Sequence, residues 1–279
     1  MSREASHALR DDVPVESVSD PHAVLDVYLR HPAIHPYGIA DVVQLFDDAR
    51  WWRRGDALLG LLDLPGSELP VIYAIAAEDA AGTLELLADL ERRGQLPDQF
   101  VMTGPVGISA ALARTRSAVW RRDYEKLAFP ADRPPPAGDS RVRTLGRADL
   151  PALEALFATD PAAGDFFHPG LLDTGHYLGV DLANADGPAD GVGLAAAAGI
   201  HVIEPGHGVA AIGNVVTHPA MRGRGLATAV VSALTARLRT RVHTVGLNVT
   251  LANATAGRLY RRIGFVPVLD YEEAELRRR

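Results

Sequence analysis

The segment Val215–Thr228, VVTHPAMRGRGLAT, constrains this chain more than any other. It reads as a β-strand, a proline stop at Pro219, a glycine-rich turn, and the start of a long helix over Leu226–Arg239. The apolar positions Leu226, Val230, Leu234 and Leu238 share one stripe of that helix. A strand that feeds a helix through so tight a turn calls for a layered α/β fold. Glycines at 223 and 225 let successive main-chain N–H groups approach a bound anion without obstruction by Cβ. The helix adds its unpaired N-terminal donors and the positive end of its dipole. These groups suit a phosphate or pyrophosphate, with Arg222 and Arg224 adding charge at the rim. A turn that only permits close packing is the plain alternative.

Several phosphate binders are excluded by the residues present. A GxxxxGK[ST] loop needs a lysine, and Lys126 is the only one in the chain. A dinucleotide fingerprint would put its third glycine at 228, which is Thr228. It would also place an acid at the end of the next strand, and Thr244–Thr250 has none. A turn fixed between a strand and an amphipathic helix is not a flexible basic arm. The N-terminal 140 residues carry 14 basic and 22 acidic residues, which speaks against nucleic acid as the main partner.

The remaining elements follow from periodicity and breakers. Phe129–Ser140, FPADRPPPAGDS, holds four prolines and reads as an extended, semi-rigid linker. With 279 residues, about twice a usual ~100–150-residue domain, this divides the chain into an α/β domain over 1–130, a linker over 131–140 and a second domain over 141–279. In the first, Ala40–Ala49 and Thr83–Arg93 have helical spacing, and Leu69–Ala76 and Gln99–Thr103 look like strands. A helix is expected over Ile108–Ser117, and Trp51 and Trp52 are expected as core or interface aromatics. In the second, strands are expected over Arg141–Leu145, Leu194–Ile203, Val209–Thr217, Thr244–Thr250 and Phe265–Leu269. Leu194–Ile203 and Val209–Thr217 would form a hairpin. Helices are expected over Leu150–Phe157, Pro169–Leu178 and Ala254–Ile263, the last capped by Gly264.

Composition removes other classes. There are no cysteines, hence no disulfides, thiolate metal sites or cysteine nucleophiles. None of the ten histidines lies in an HExxH motif, and His201 and His207 span a hairpin, so no metal is expected. No GxSxG elbow occurs; Gly107–Ala111 lacks the second glycine. No apolar run reaches the ~18–20 residues that cross a bilayer. The opening MSREASHALRDDVPVES has no signal-peptide core. The expectation is a cytoplasmic protein, and its arginine and alanine bias suggests a GC-rich bacterial source.

Arg222-Gly223-Arg224-Gly225-Leu226-Ala227 matches the [RQ]xxGx[GA] motif of the GNAT superfamily of N-acetyltransferases. The strand ending at His218-Pro219 precedes it, and LNVTLANATAGRLYRRIGF, Leu247–Phe265, resembles the family's strand–Asn–helix–Tyr–Gly-Phe segment. The resemblance covers roughly Arg141–Arg279 and implies a mixed α/β sheet. The two-part plan is similar to the glycine N-acyltransferase-like branch, whose first half is a degenerate copy of the same fold.

That resemblance implies acetyl-CoA, or another acyl-CoA, as cosubstrate. Main-chain groups of Val215, Val216 and Thr217 would pair with the pantetheine arm and polarise the thioester carbonyl. The amides of Gly223, Arg224, Gly225, Leu226, Ala227 and Thr228 would hold the pyrophosphate. Asn253 would contact pantetheine, cap the following helix, or both. Tyr260 matches the tyrosine that protonates the departing thiolate, with a packed core aromatic as its plain alternative. For the base, many relatives use a glutamate on the strand before the turn, and Val209–Thr217 has no carboxylate. The candidates are Glu204 and His201, then His207 and His218. Phe166, Phe167 and His168 lead into a segment that lines the acceptor pocket in this family. The resulting expectation is acetyl transfer to an amine of a small molecule or peptide. The alternatives are a longer acyl group and a non-catalytic acyl-CoA sensor. Trp51-Trp52 and the alanine-rich faces leave room for a homodimer.

Overall fold

A computed structural model describes residues 14–64, 67–185 and 193–279. The N-terminal polar stretch therefore lies mostly outside the described residues. Two compact units emerge. The first takes in residues up to Glu125 together with Thr250–Ala252 and Leu269–Arg279; the second comprises Lys126–Val249 and Asn253–Val268.

In the first unit, helices α1 (Pro21–Tyr28) and α2 (Pro36–Leu45) follow a short strand β1 (Glu16–Val18). Strands β2 (Ala49–Arg54), β3 (Ala57–Leu62) and β4 (Val71–Tyr73) then run as an antiparallel meander. Helix α3 (Ala80–Arg92) carries the chain to β5 (Gln99–Pro105), which lies parallel to β4. Leu86, Leu87 and Leu90 of α3 pack on Leu59, Ile72, Phe100 and Met102. Trp51 and Trp52 are both buried, so they are core residues.

The helix expected over Ile108–Ser117 stops at Ala111 (α4, Ile108–Ala111), and a long strand β6 (Arg116–Phe129) follows. Arg116 opens that strand: its guanidinium is fully buried, paired with Glu91 at 2.7 Å and stacked 4.5 Å above the Phe100 ring.

The second unit has strand β7 (Arg143–Thr144), helix α5 (Leu150–Phe157), and strands β8 (Leu178–Asp181), β9 (Leu194–Glu204) and β10 (Val209–Thr217) in an antiparallel run. Helix α6 (Leu226–Leu238) crosses to β11 (Thr244–Thr250), parallel to β10. Helix α7 (Ala254–Ile263) and strand β12 (Val266–Arg278) complete the chain. The expected helix Pro169–Leu178 is instead a 3₁₀ stretch, Pro169–Thr174, ended by Gly175 at φ +70°. Burial of Tyr177 and Leu178 then draws the chain into β8.

The same element order, three antiparallel strands, a 13-residue helix, a parallel strand and a further helix, occurs in both units. The C-terminal boundary differs from the expected 141–279. The end of β12 belongs to the first unit because Tyr271–Arg277 pairs antiparallel with Pro105–Gln99 of β5. The expected linker has no regular structure from Pro130 to Ser140, as its prolines require. It is anchored within the second unit by Arg133, whose guanidinium donates to the Gly264 carbonyl at 2.6 Å.

Candidate functional site

Strand β10 has β9 on one side and β11 on the other. Its parallel pairing with β11 runs from Val209↔Thr244 to Ile212↔Leu247 and stops there. Its pairing with β9 continues to Thr217↔Ala196 across an irregularity between Gly213 and Val216. Residues Gly213–Thr217 thus keep one neighbouring strand and part from the other, leaving a row of main-chain groups beside β11 outside the ladder. Two buried side-chain atoms beyond the last pair have no hydrogen-bond partner: Thr217 Oγ1 on β10 and Asn248 Oδ1 on β11. Buried polar atoms without partners are costly, so each invites a ligand group.

The turn after β10 is built as its glycines imply. Gly223 has φ +80° and Gly225 φ +75°, and Gly225 is the N-cap of α6 with no side chain to accept from the first helical amides. A Cβ built on either glycine meets nothing within 4 Å, so the turn faces open space. Arg222 lies 3.5 Å from Asp160, and Arg224 donates to the Ala185 carbonyl at 3.2 Å. Leu226 is buried and Ala227 and Thr228 are half-buried, so the helix starts flush with the turn.

Asn253 caps α7: its Oδ1 accepts from the Ala256 amide at 3.0 Å, while the residue itself is exposed. Seven residues on, Tyr260 is buried edge-on to Phe265, and burial pushes its hydroxyl up to about 12. It stays protonated across the neutral range.

The two candidate bases are separated. Glu204 lies opposite Val209 at the turn end of the hairpin, where it accepts from the Gly206 amide at 2.8 Å. Val209 is four residue steps from Gly213 and eight from Thr217, roughly 13 Å and 26 Å along the strand at ~3.3 Å each, so Glu204 lies away from the parted strands. His207 stays with Glu204, 3.7 Å away. His218 caps the Pro219–Met221 turn through Nδ1, which accepts from the Ala220 amide at 3.3 Å. His201 lies three residues before Glu204 on β9, its ring lying where a Cβ on Gly213 would come within 2.2 Å of it. Burial pushes His201 down to about 4, which keeps it neutral.

This has a consequence for stability. An unfolded histidine takes up a proton near ~6.5, whereas folded His201 does so only near 4. Stability contributed by the neutral ring is present above pH ~6.5 and lost as the pH falls toward 4. We expect urea unfolding at pH 4.5 to show a loss on the order of 2 kcal/mol relative to pH 7 from this residue. His201→Gln should shrink the pH dependence by that amount, and an unchanged dependence contradicts the assignment.

Two residues had no signal in the sequence. Asn214, at φ +50° in the irregular part of β10, is buried and fully bonded. Its Oδ1 accepts from the Tyr177 hydroxyl at 2.6 Å, and its Nδ2 donates to the carbonyls of Ala163 at 2.8 Å and Asp165 at 3.0 Å. Tyr177 fills the space over Gly199, where a Cβ would come within 2.1 Å of its ring. An asparagine inside an apolar strand and a tyrosine inside an apparent helix gave no hint of meeting.

Residues 193–273, which span the parted strands, the glycine turn and Tyr260, match the family model described as FR47-like protein. That match and the fold of the structures below support a GNAT-superfamily domain over this region. The chain is similar to a putative acetyltransferase from the GNAT family from Novosphingobium aromaticivorans. That match has 26% identity and TM-score 0.53, over 79% of this chain and 88% of that one. A GCN5-related N-acetyltransferase from Sphaerobacter thermophilus (19% identity, TM-score 0.56, 94% of this chain and 96% of that one) shares the fold. So does a tandem GNAT protein from the clavulanic acid biosynthesis pathway (16% identity, TM-score 0.51, 95% and 98%). No curated protein sequence matches this chain.

The first unit, which has the same element order, has a different turn at the corresponding place, between β4 and α3. There Asp79 is the N-cap, its Oδ1 accepting from the Gly82 amide at 2.9 Å, and Glu78 beside it pairs with Arg30 at 3.2 Å and His31 at 2.7 Å. A carboxylate occupies the helix N-terminus that a phosphate would need. Among the described residues, no cluster of three or more His, Asp or Glu side chains could hold a metal ion. Nor is any helix among them long and apolar enough to cross a membrane.

Proposed function

We propose that this chain is an N-acetyltransferase that moves an acetyl group from acetyl-CoA to a primary amine by direct transfer in a ternary complex. The observation that carries the reading is the parting of β10 from β11 immediately before an uncapped glycine turn. The residues fit acetyl-CoA. Thr217 and Asn248 offer unpaired buried groups beside the parted strands, and the space at Gly223 and Gly225 is open.

Acetyl-CoA supplies the acyl group as a reactive thioester. Main-chain groups of Val215, Val216 and Thr217, free of a strand on one side, would bond the pantetheine arm, and an N–H among them would stabilise the oxyanion. The amides of Gly223 to Thr228 would hold the pyrophosphate, with Arg222 and Arg224 at its rim. Asn253 keeps its capping role and holds α7, and with it Tyr260, in place. The Tyr260 hydroxyl would donate to the departing sulfur. A phenol that ionises near 12 yields its proton to a thiolate whose acid ionises near ~8.5 only as the incoming amine releases one. His201, neutral and adjacent to Gly213, is the base candidate in reach of the transfer point; Glu204 drops out by its position. The acceptor is an amine of a small molecule or peptide, and a cytoplasmic setting follows from the cosubstrate. In this reading the second unit, Lys126–Val249 with Asn253–Val268, is the catalytic one and the first its degenerate companion.

The test is calorimetric titration of acetyl-CoA together with a thiol-release assay against a panel of primary amines. Wild type should bind at micromolar strength and turn over at least one amine. Tyr260→Phe should lower kcat about 100-fold while its Kd for acetyl-CoA stays within twofold. Binding without thiol release from any amine overturns the enzyme in favour of a sensor.

A further inference from the structure

Only two non-glycine residues among those described have a positive φ, and both belong to one small assembly. Asn214 is at φ +50° and Phe166 at φ +60°. Backbone strain at a bulky residue persists only where its surroundings over-determine it, and such strain gathers at functional positions. The surroundings are explicit here. The Asn214 side chain reaches from β10 to the carbonyls of Ala163 and Asp165, the second of which immediately precedes Phe166. The Tyr177 hydroxyl holds the other end of the same amide at 2.6 Å. One strained residue therefore clamps the segment that bears the other.

The clamp turns the Phe166 ring outward. Phe166 is 48% exposed, although its neighbour Phe167 packs on Phe157 and Tyr177. The exposed ring stands edge-on to His201, with centroids 6.3 Å apart, and His201 in turn covers Gly213 at the start of the parted strands. A large apolar face is thus presented beside the place where β10 leaves β11.

We infer that Phe166 is a specificity-determining residue of the acceptor side, held there by Asn214 as a positioning residue, and that the acceptor is an amine bearing an aromatic or apolar group. The inference rests on the proposed acetyl transfer. The ring offers an apolar contact and its π face, and an amine on a short apolar stem can lie against it with the nitrogen directed toward Gly213.

The probes are 2-phenylethylamine and ethanolamine, which share a primary amine and differ in the apolar group. Wild type should favour 2-phenylethylamine in kcat/KM by at least tenfold, and Phe166→Ala should reduce that ratio at least tenfold, through KM more than kcat. Asn214→Gly allows the positive φ and removes only the clamp, so it should lower the ratio as Phe166→Ala does. Asn214→Asp keeps the bond from Tyr177 but loses both donated ones, and should fail to rescue it. A readout without turnover is calorimetric titration of 2-phenylethylamine into protein saturated with CoA, where Phe166→Ala should weaken binding about tenfold. An unchanged ratio and affinity in Phe166→Ala, in an enzyme that still releases thiol, overturns the specificity role and leaves acetyl transfer standing. Loss of both amines alike in Asn214→Gly, with the ratio kept, overturns the clamp. Absence of thiol release from every amine removes the acetyl-transfer reading and this inference with it.

Discussion

Gly225→Glu is expected to weaken acetyl-CoA binding more than 100-fold. Gly225 is the left-handed N-cap of α6, and a side chain there would project into open space in front of the first helical amides. A carboxylate about 4 Å from one phosphate charge, at an effective dielectric of ~20, costs about 4 kcal/mol. A 100-fold loss needs only about 2.7 kcal/mol. Any L side chain at φ +75° also adds roughly 1–2 kcal/mol of backbone strain. Gly225→Ala supplies the control, since it carries the strain without the charge. Calorimetry should therefore show a modest weakening for the alanine variant and no measurable heat for glutamate. Thermal melting should fall by a similar few degrees in both. If the glutamate variant binds within threefold of the alanine variant, this turn does not hold the pyrophosphate. The first unit already contains the corresponding arrangement, with Asp79 as the N-cap of α3. The same titration should accordingly give a stoichiometry of one acetyl-CoA per chain.

What the sequence could show and what it could not divides along physical lines. Val209–Thr217, Thr244–Thr250 and Ala254–Ile263 were readable to the residue because local periodicity and flanking breakers determine them. The glycine turn was readable because positive φ leaves a composition signature. The first unit was harder. Its β3, ALLGLL, is buried throughout and therefore shows no alternation, and its turn bears Glu78-Asp79 in place of glycines. The role of Asn214 depends on Tyr177, Ala163 and Asp165, none of them local to it. Glu204 and His201 looked equivalent in sequence, three residues apart on one strand and its turn. The register separated them, because His201 faces Gly213 while Glu204 closes the far turn. Side-chain networks and strand register are tertiary facts, and a single sequence carries little trace of them.

The end of the chain carries the largest expected stability effect, and it falls on the first unit. Glu272 on β12 is fully buried, yet its two carboxylate oxygens accept from the amides of Gly107 at 3.1 Å and Ser109 at 3.0 Å, around the start of α4. Arg121 lies 3.6 Å from the same carboxylate. Three positions later, Glu275 accepts from Gln99 at 2.7 Å and from the Trp120 indole at 2.8 Å. Between and beyond them, Ala274 and Leu276 belong to the first unit's core. Glu272→Ala leaves two amides without their acceptor, and at roughly 1–3 kcal/mol for each unsatisfied donor the expected loss is about 2–6 kcal/mol. Glu272→Gln keeps the shape and one acceptor oxygen, so it should lose about half as much. Ending the chain at Leu269 removes the whole pairing from Tyr271↔Pro105 to Arg277↔Gln99. Most domains have only about 5–15 kcal/mol of net stability. A lost strand with two core side chains exceeds what the first unit can absorb, so the truncated chain should leave it unfolded. Amide hydrogen exchange provides the readout: Gln99–Pro105 should lose protection in the truncated chain, while Val209–Ile212, paired wholly within the second unit, should retain theirs. Retained protection at Gln99–Pro105 would show that β5 does not depend on β12. Loss at both sets would show that the second unit also requires a strand end it does not itself contain.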